Sequence, residues 1–221
     1  MPFNSQPRRL LAAGTALAIT SFLAHAGSND PADASAGDPY PLPNCVIRDE
    51  PLEKRCQAID FMGRDIRVCC NECVDQFKKE HHTWIRELDD RLTQQQRDFY
   101  PLDTCAVDGQ PLVTGLVLEL VFRNRLFRLC SLECQRKLEQ EPARSFARLN
   151  AAVVTKQKPA YPLGTCVVTG EPLGNAAVDY VIANQLVRLA RAEVAEQFKR
   201  TPGKYLAKLR ELAKQKSSPK P

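Results

Sequence analysis

The stretch Arg67 to Phe77, RVCCNECVDQF, holds Cys69, Cys70 and Cys73. Thiols this close can ligate a metal, cycle as a dithiol, or pair with partners elsewhere as disulfides. A downstream stretch, RLCSLECQRKL, sets Cys130 and Cys134 at the same distance as Cys69 and Cys73. Each pair is preceded by a lone cysteine, Cys45 or Cys105, so the shared spacing is C-x(23 or 24)-C-x3-C. The first residue of each pair closes a strand-like run, and the second falls in the first turn of a helical pattern. Backbone N–H groups at a helix start lower thiol pKa values and favour the thiolate that binds metal.

These cysteines are positioned by a unit that occurs three times. YPLPNCVIRDEPL begins at Tyr40, YPLDTCAVDGQPL at Tyr100 and YPLGTCVVTGEPL at Tyr161, a period of 60 to 61 residues. Each opening leads into two strand-like runs around a polar turn, with Gly63-Arg64, Asn124-Arg125 and Asn184-Gln185 expected at the tips. A helical pattern follows. Phe77, Leu138 and Phe198 align, as do Ile85, Phe146 and Leu206, and then Leu88, Leu149 and Leu209, all on one face. Pro142 and Pro202 are expected to break the second and third helices, whereas His81 at that position leaves the first unbroken to about Gln96.

The resulting fold class is α+β, with three tandem small units, each a Cys-bearing turn, a β-hairpin and an α-helix. Residues 40–97 form repeat 1, 98–158 repeat 2 and 159–213 a degenerate repeat 3, with a basic tail at 214–221. Repeat 3 keeps Cys166, but Ala190 and Val194 replace the pair. A unit of about 55 residues buries little apolar surface and usually needs a metal, a disulfide or a neighbour.

The YPLxxC opening, the hairpin and the C-x3-C entry to the helix resemble the TRASH/YHS group of small, treble-clef-like metal-binding domains. The resemblance covers Tyr40 to about Leu92 and Tyr100 to Leu149 well, and Tyr161 to Leu209 in its frame only. It implies one site of Cys45, Cys69 and Cys73 and another of Cys105, Cys130 and Cys134, in proteins of heavy-metal trafficking, resistance and sensing. A fourth ligand in repeat 1 is Cys70 or Cys56, and Cys70/Cys73 also offers an entry shifted by one. In repeat 2 the candidates are water, Asp103 or Asp108, or the site stays three-coordinate. Zinc prefers four ligands, while soft thiolate sites also suit copper(I), so the cofactor is Zn(II) or Cu(I).

The N-terminus bears on the compartment. Arg8-Arg9, the apolar run Leu10 to Ala24 and Ala24-His25-Ala26 read as a signal peptide over residues 1–26, cleaved after Ala26. That implies a periplasmic or secreted protein with no membrane span after cleavage. Residues 27–39, rich in Ala, Asp, Ser and Gly, read as a disordered leader. Export makes disulfides the default for nine cysteines, for example Cys45–Cys73 and Cys105–Cys134, but three thiols per repeat cannot all pair internally. CNEC has dithiol spacing, without βαβ alternation and without a counterpart in repeat 2.

Cleavage lowers the formal charge from +5 to +3, with both signs interleaved, which gives no case for nucleic acid. No nucleophile–base set, Gly-rich phosphate loop or carboxylate pair stands out, so no enzyme is expected. The expected partners are a metal ion and, where an ion only shapes a scaffold, a protein. His81 and His82 read as solvated helix face, Trp84 as packing, and Cys166 as a small buried apolar residue.

Overall fold

A computed structural model describes residues 37–52 and 56–217 of this chain. The expected signal peptide, and residues 27–36 of the expected leader, lie outside the described residues. The fold is mixed α+β. Repeat 1 holds β1 (Gln57–Phe61), β2 (Arg64–Val68) and α1 (Asn71–Arg97). Repeat 2 holds β3 (Leu118–Phe122), β4 (Arg125–Leu129), α2 (Leu132–Gln140) and α3 (Pro142–Gln157). A 3-10 turn at Lys158–Ala160 leads to repeat 3, with β5 (Val178–Ile182), β6 (Gln185–Leu189), α4 (Val194–Arg200) and α5 (Pro202–Ser217). Among the described residues, no helix is long and apolar enough to cross a membrane.

Each hairpin is a separate two-stranded antiparallel sheet, closed by a two-residue turn. The turn residues are Met62-Gly63, Arg123-Asn124 and Ala183-Asn184, one position earlier than the sequence pattern suggests. All six have positive φ, from 48° to 75°. That is the requirement of the primed turn that matches strand twist, and it admits Asn and Gly most easily. The openings fold alike as well. Cys45, Cys105 and Cys166 donate their N–H to Glu50, Gln110 and Glu171, and their carbonyls accept from Asp49, Gly109 and Gly170.

The helices break where Pro142 and Pro202 begin a new segment, as expected. The first helix breaks too: Glu80 has φ −129° and ψ 34°, close to Glu141 at −129° and 61°. No proline causes this kink, so α1 is not unbroken as expected. The same tertiary demand acts on all three copies. Phe77 before the bend, and Leu88 and Leu92 after it, must all reach one core, and each is at most 2% exposed.

Repeats 1 and 2 share that core, which runs from Tyr40, Ile66 and Phe77 to Leu126, Phe127 and Phe146. Repeat 3 has its own core around Tyr180, Val187, Phe198 and Leu206, joined to repeat 2 through Val153, Val181 and Leu186. It also touches repeat 1, where Arg67 donates to the Lys199 carbonyl at 2.9 Å. A Cβ built at Gly203 would overlap the Leu42 carbonyl, so only glycine permits this approach.

A repeated amide clamp sets the step between copies. Gln96, near the end of α1, donates to the Asn124 carbonyl at 2.9 Å and accepts from Leu126 N–H at 2.9 Å. Asn124 in turn donates to the Asp65 carbonyl at 2.8 Å. One period on, Gln157 donates to the Asn184 carbonyl and accepts from Leu186 N–H, both at 2.8 Å, and Asn184 donates to the Leu126 carbonyl at 2.9 Å. The tips of the second and third hairpins are therefore buried between repeats, and Asn124 and Asn184 are fully enclosed. The tip of the first hairpin is not enclosed in this way, and its Met62 is 85% exposed.

The expected leader is ordered at its end. Asp38, buried, accepts from Arg125 Nε at 2.8 Å and from Ala183 N–H at 2.7 Å, while its own N–H donates to the Arg123 carbonyl. Arg125 also donates to Asn150 and to the Val181 carbonyl, and lies over the Phe146 ring. At the other end, α5 runs to Ser217, so the first residues of the expected basic tail are helical. Removing one partner of a buried pair leaves an uncompensated charge, so Asp38→Ala should cost about 3–5 kcal/mol. Urea denaturation of the metal-free full chain checks this. A midpoint equal to that of the parent would contradict the role given to Asp38.

Candidate metal centre

The more complete site is in repeat 2. Cys105 lies in the opening turn, and Asp108 follows three residues later in the same turn. Cys130 follows the last residue of β4, and Cys134 lies in the first turn of α2. Ser131 caps that helix, its hydroxyl accepting from Cys134 N–H at 3.2 Å, which fixes Cys134 facing back toward Cys130. The three Sγ atoms and an Asp108 carboxylate oxygen all lie within 4.8 Å of one another. Cys130 and Cys134 Sγ are 3.6 Å apart, and Asp108 Oδ2 lies 3.5 Å from the first and 3.3 Å from the second.

These spacings fit a tetrahedral ion. Zinc–sulfur bonds of about 2.3 Å imply sulfur–sulfur edges of roughly 3.8 Å. They are much longer than a disulfide bond, and all nine cysteines are free thiols. Asp108 is thus the member of the proposed fourth-ligand set that the turn brings in, while Asp103 is exposed and stands outside the group.

In repeat 1, Cys45, Cys69 and Cys73 come together in the equivalent place, their sulfurs within 4.8 Å of one another. Cys69 and Cys73 are 3.7 Å apart. Cys70 occupies the helix-cap position held by Ser131 in repeat 2, but makes no side-chain cap bond. Its sulfur is 3.9 Å from Cys69 and 3.5 Å from Cys73, without joining the group that includes Cys45. Cys56 is exposed ahead of β1 and outside the group. The His81 and His82 rings stack at 4.0 Å, with His81 against Phe61, and neither joins a donor group.

In repeat 3, buried Cys166 shares a core cluster with buried Val194, against which Ala190 packs, and Thr169 stands where repeat 2 has Asp108. Burial acts to raise the Cys166 thiol, but N–H groups of Thr169, Ala190 and Val168 and the Thr169 hydroxyl outweigh it and lower the pKa.

The electrostatics separate the donors. Burial pushes the Cys134 thiol up to about 12; the Ser131 hydroxyl opposes this, and Asp108, Cys130 and Cys105 add to it. Burial and the neighbouring thiols Cys70 and Cys69 likewise hold Cys73 well above the ordinary range. Burial also raises Cys69 and Cys130. Cys45 moves down: burial opposes, but the N–H groups of Arg48, Ile47 and Cys69 stabilise its thiolate. Asp108 is lowered to about 2, chiefly by the Gln110 N–H and further by the three thiols.

The expected ligands of both repeats are therefore brought together in space. The equivalence of position 48 to Asp108 was readable by aligning the three opening turns. No family model, curated protein or solved structure matches this chain.

The pKa directions fix the sign of the pH dependence. Metal-free thiols held above their ordinary range are protonated at neutral pH, whereas Asp108 is already ionised. An ion entering the repeat 2 site should displace protons from Cys130 and Cys134, and affinity should rise with pH. Calorimetric titration at pH 7.5 in buffers of different ionisation enthalpy counts them. Release of less than about one proton would exclude three thiolate ligands.

Proposed function

We propose that this chain is an exported protein that binds metal in two thiolate sites and sequesters, carries or senses it, with no catalytic step of its own. The observation that carries this is the convergence of Cys105, Cys130, Cys134 and the Asp108 carboxylate on one point, repeated by Cys45, Cys69 and Cys73. The donor types favour Zn(II) or Cu(I). The signal-peptide pattern supports export, and the TRASH/YHS-like openings support a part in heavy-metal handling.

Repeat 3 supports handling over bracing. It forms the same opening turn, hairpin and divided helix with Ala190 and Val194 at the pair positions, so the frame packed against repeat 2 is compatible with the loss of the thiol pair. Cys69, Cys130 and Asp108 also reach the surface, which gives an ion a route in and out. The second reading is a zinc-stabilised scaffold for a protein partner. Its support is that Cys45, Cys73, Cys105 and Cys134 are buried in the core shared by repeats 1 and 2.

Stripping the loaded full chain with a chelator separates the two. Handling predicts loss of about two equivalents of metal within minutes, with the far-ultraviolet circular dichroism retained. Collapse of the helical signal together with metal loss would favour the scaffold. A protein that never takes up metal under reducing conditions would end both readings.

A further inference from the structure

Resting on the metal-binding reading above, we infer that the two sites take different ions, and that the fourth residue of the opening turn decides which. The repeat 2 site takes a borderline divalent ion such as Zn(II). The repeat 1 site takes a soft monovalent ion such as Cu(I).

The two turns share one backbone design. In each, the cysteine N–H donates five residues ahead, and its carbonyl accepts from the residue four ahead. The residue three after the cysteine therefore occupies the same place in each turn. In repeat 2 it is Asp108, whose carboxylate completes a four-donor group. In repeat 1 it is Arg48, a cation with no lone pair to offer. Its guanidinium feels the thiols: Cys70 and then Cys73 act to hold its proton more tightly.

Donor chemistry then divides the sites. Zinc is borderline, accepts carboxylate oxygen as well as sulfur, and almost always takes four protein ligands when held structurally. Three thiolates and a carboxylate supply four negative charges, which suits a dication. At Cys45, Cys69 and Cys73 the donors are three sulfurs alone, beside a fixed positive charge. All-sulfur donors favour Cu(I), and a neighbouring cation disfavours a doubly charged ion more than a singly charged one. Arg48 and Asp108 are both exposed, so exchanging them leaves the core untouched.

The test uses the full-length chain, reduced and free of oxygen, in competition with chromophoric chelators for Zn(II) and for Cu(I). One variant keeps only the repeat 1 site (Cys105→Ser, Cys130→Ser, Cys134→Ser), and the other only the repeat 2 site (Cys45→Ser, Cys69→Ser, Cys73→Ser). Zn(II) should bind the repeat 2 site at least about tenfold more tightly than the repeat 1 site, with the reverse order for Cu(I). Arg48→Asp in the first background should raise Zn(II) affinity about tenfold without raising that for Cu(I), and Asp108→Arg in the second should lower Zn(II) affinity similarly. The unaltered chain offered both ions should retain one of each, a measurement that needs no variant to fold.

Equal Zn(II) affinities at the two sites, or an Arg48→Asp variant that behaves as its parent, would overturn the inference while leaving metal binding intact. So would tight Zn(II) binding at repeat 1 that disappears in Cys70→Ser, because Cys70 would then supply the fourth ligand. If neither ion bound at any site, both the inference and the function on which it rests would be overturned.

Discussion

The buried pair between Asp38 and Arg125 is the interaction on which the arrangement of the three repeats depends. Two ionised groups out of water are tolerated only where their remaining hydrogen-bonding capacity is met. Here Asp38 also takes the Ala183 N–H, and Arg125 also reaches Asn150 and the Val181 carbonyl. One carboxylate thus joins the chain ahead of repeat 1 to the hairpin of repeat 2 and the hairpin turn of repeat 3. Because Asp38 and Arg125 are each held by several partners, a shift of any one repeat would strand a buried charge. Gln96 and Gln157 extend the same logic with uncharged groups, each gripping both backbone directions of the next hairpin tip.

That interlock places the chemistry. The tips of hairpins 2 and 3 are buried between repeats, whereas at the strand-to-helix end of repeat 2 side chains reach solvent. Cys130 and Asp108 of repeat 2 sit there, partly or fully exposed, above the buried Cys105 and Cys134. The shared core supplies the rigidity and the opening turn supplies the variation. The same turn carries Arg48, Asp108 and Thr169 in the three copies, while the backbone around them is unchanged. In repeat 3 the frame is kept with Ala190 and Val194 at the pair positions, so the side chain that follows the opening cysteine can vary while the turn around it does not.

Much of this was legible in the sequence because the period repeats every local signal. The openings, the hairpins, the aligned helix face and the breaks at Pro142 and Pro202 are local patterns, and the structure has them. The hairpin turns came out one residue off, since Asn124 and Asn184 are the second turn residues and Arg123 and Ala183 adopt positive φ without the usual glycine or asparagine. The bend at Glu80 left no local trace, because it comes from the need of Phe77, Leu88 and Leu92 to enter one core. Asp38 was hidden in a polar, low-complexity leader, and its partners are 85 or more positions away along the chain. Asparagines at the tips read as turn formers, and nothing nearby revealed that they were also buried clamps. At the sites, the cysteine sets were legible from spacing and resemblance, whereas the choice of Asp108 over Asp103 required the turn to be folded.

X-ray absorption at the metal edge of the full-length chain, purified reduced and loaded to saturation, tests the central claim most directly. Thiolate sites built as described should give a first shell dominated by sulfur, at about 2.3 Å for zinc, with roughly three sulfurs per ion and an oxygen contribution that Asp108→Asn diminishes. A first shell of nitrogen and oxygen only, or a protein that retains no metal while its thiols remain free, would contradict it.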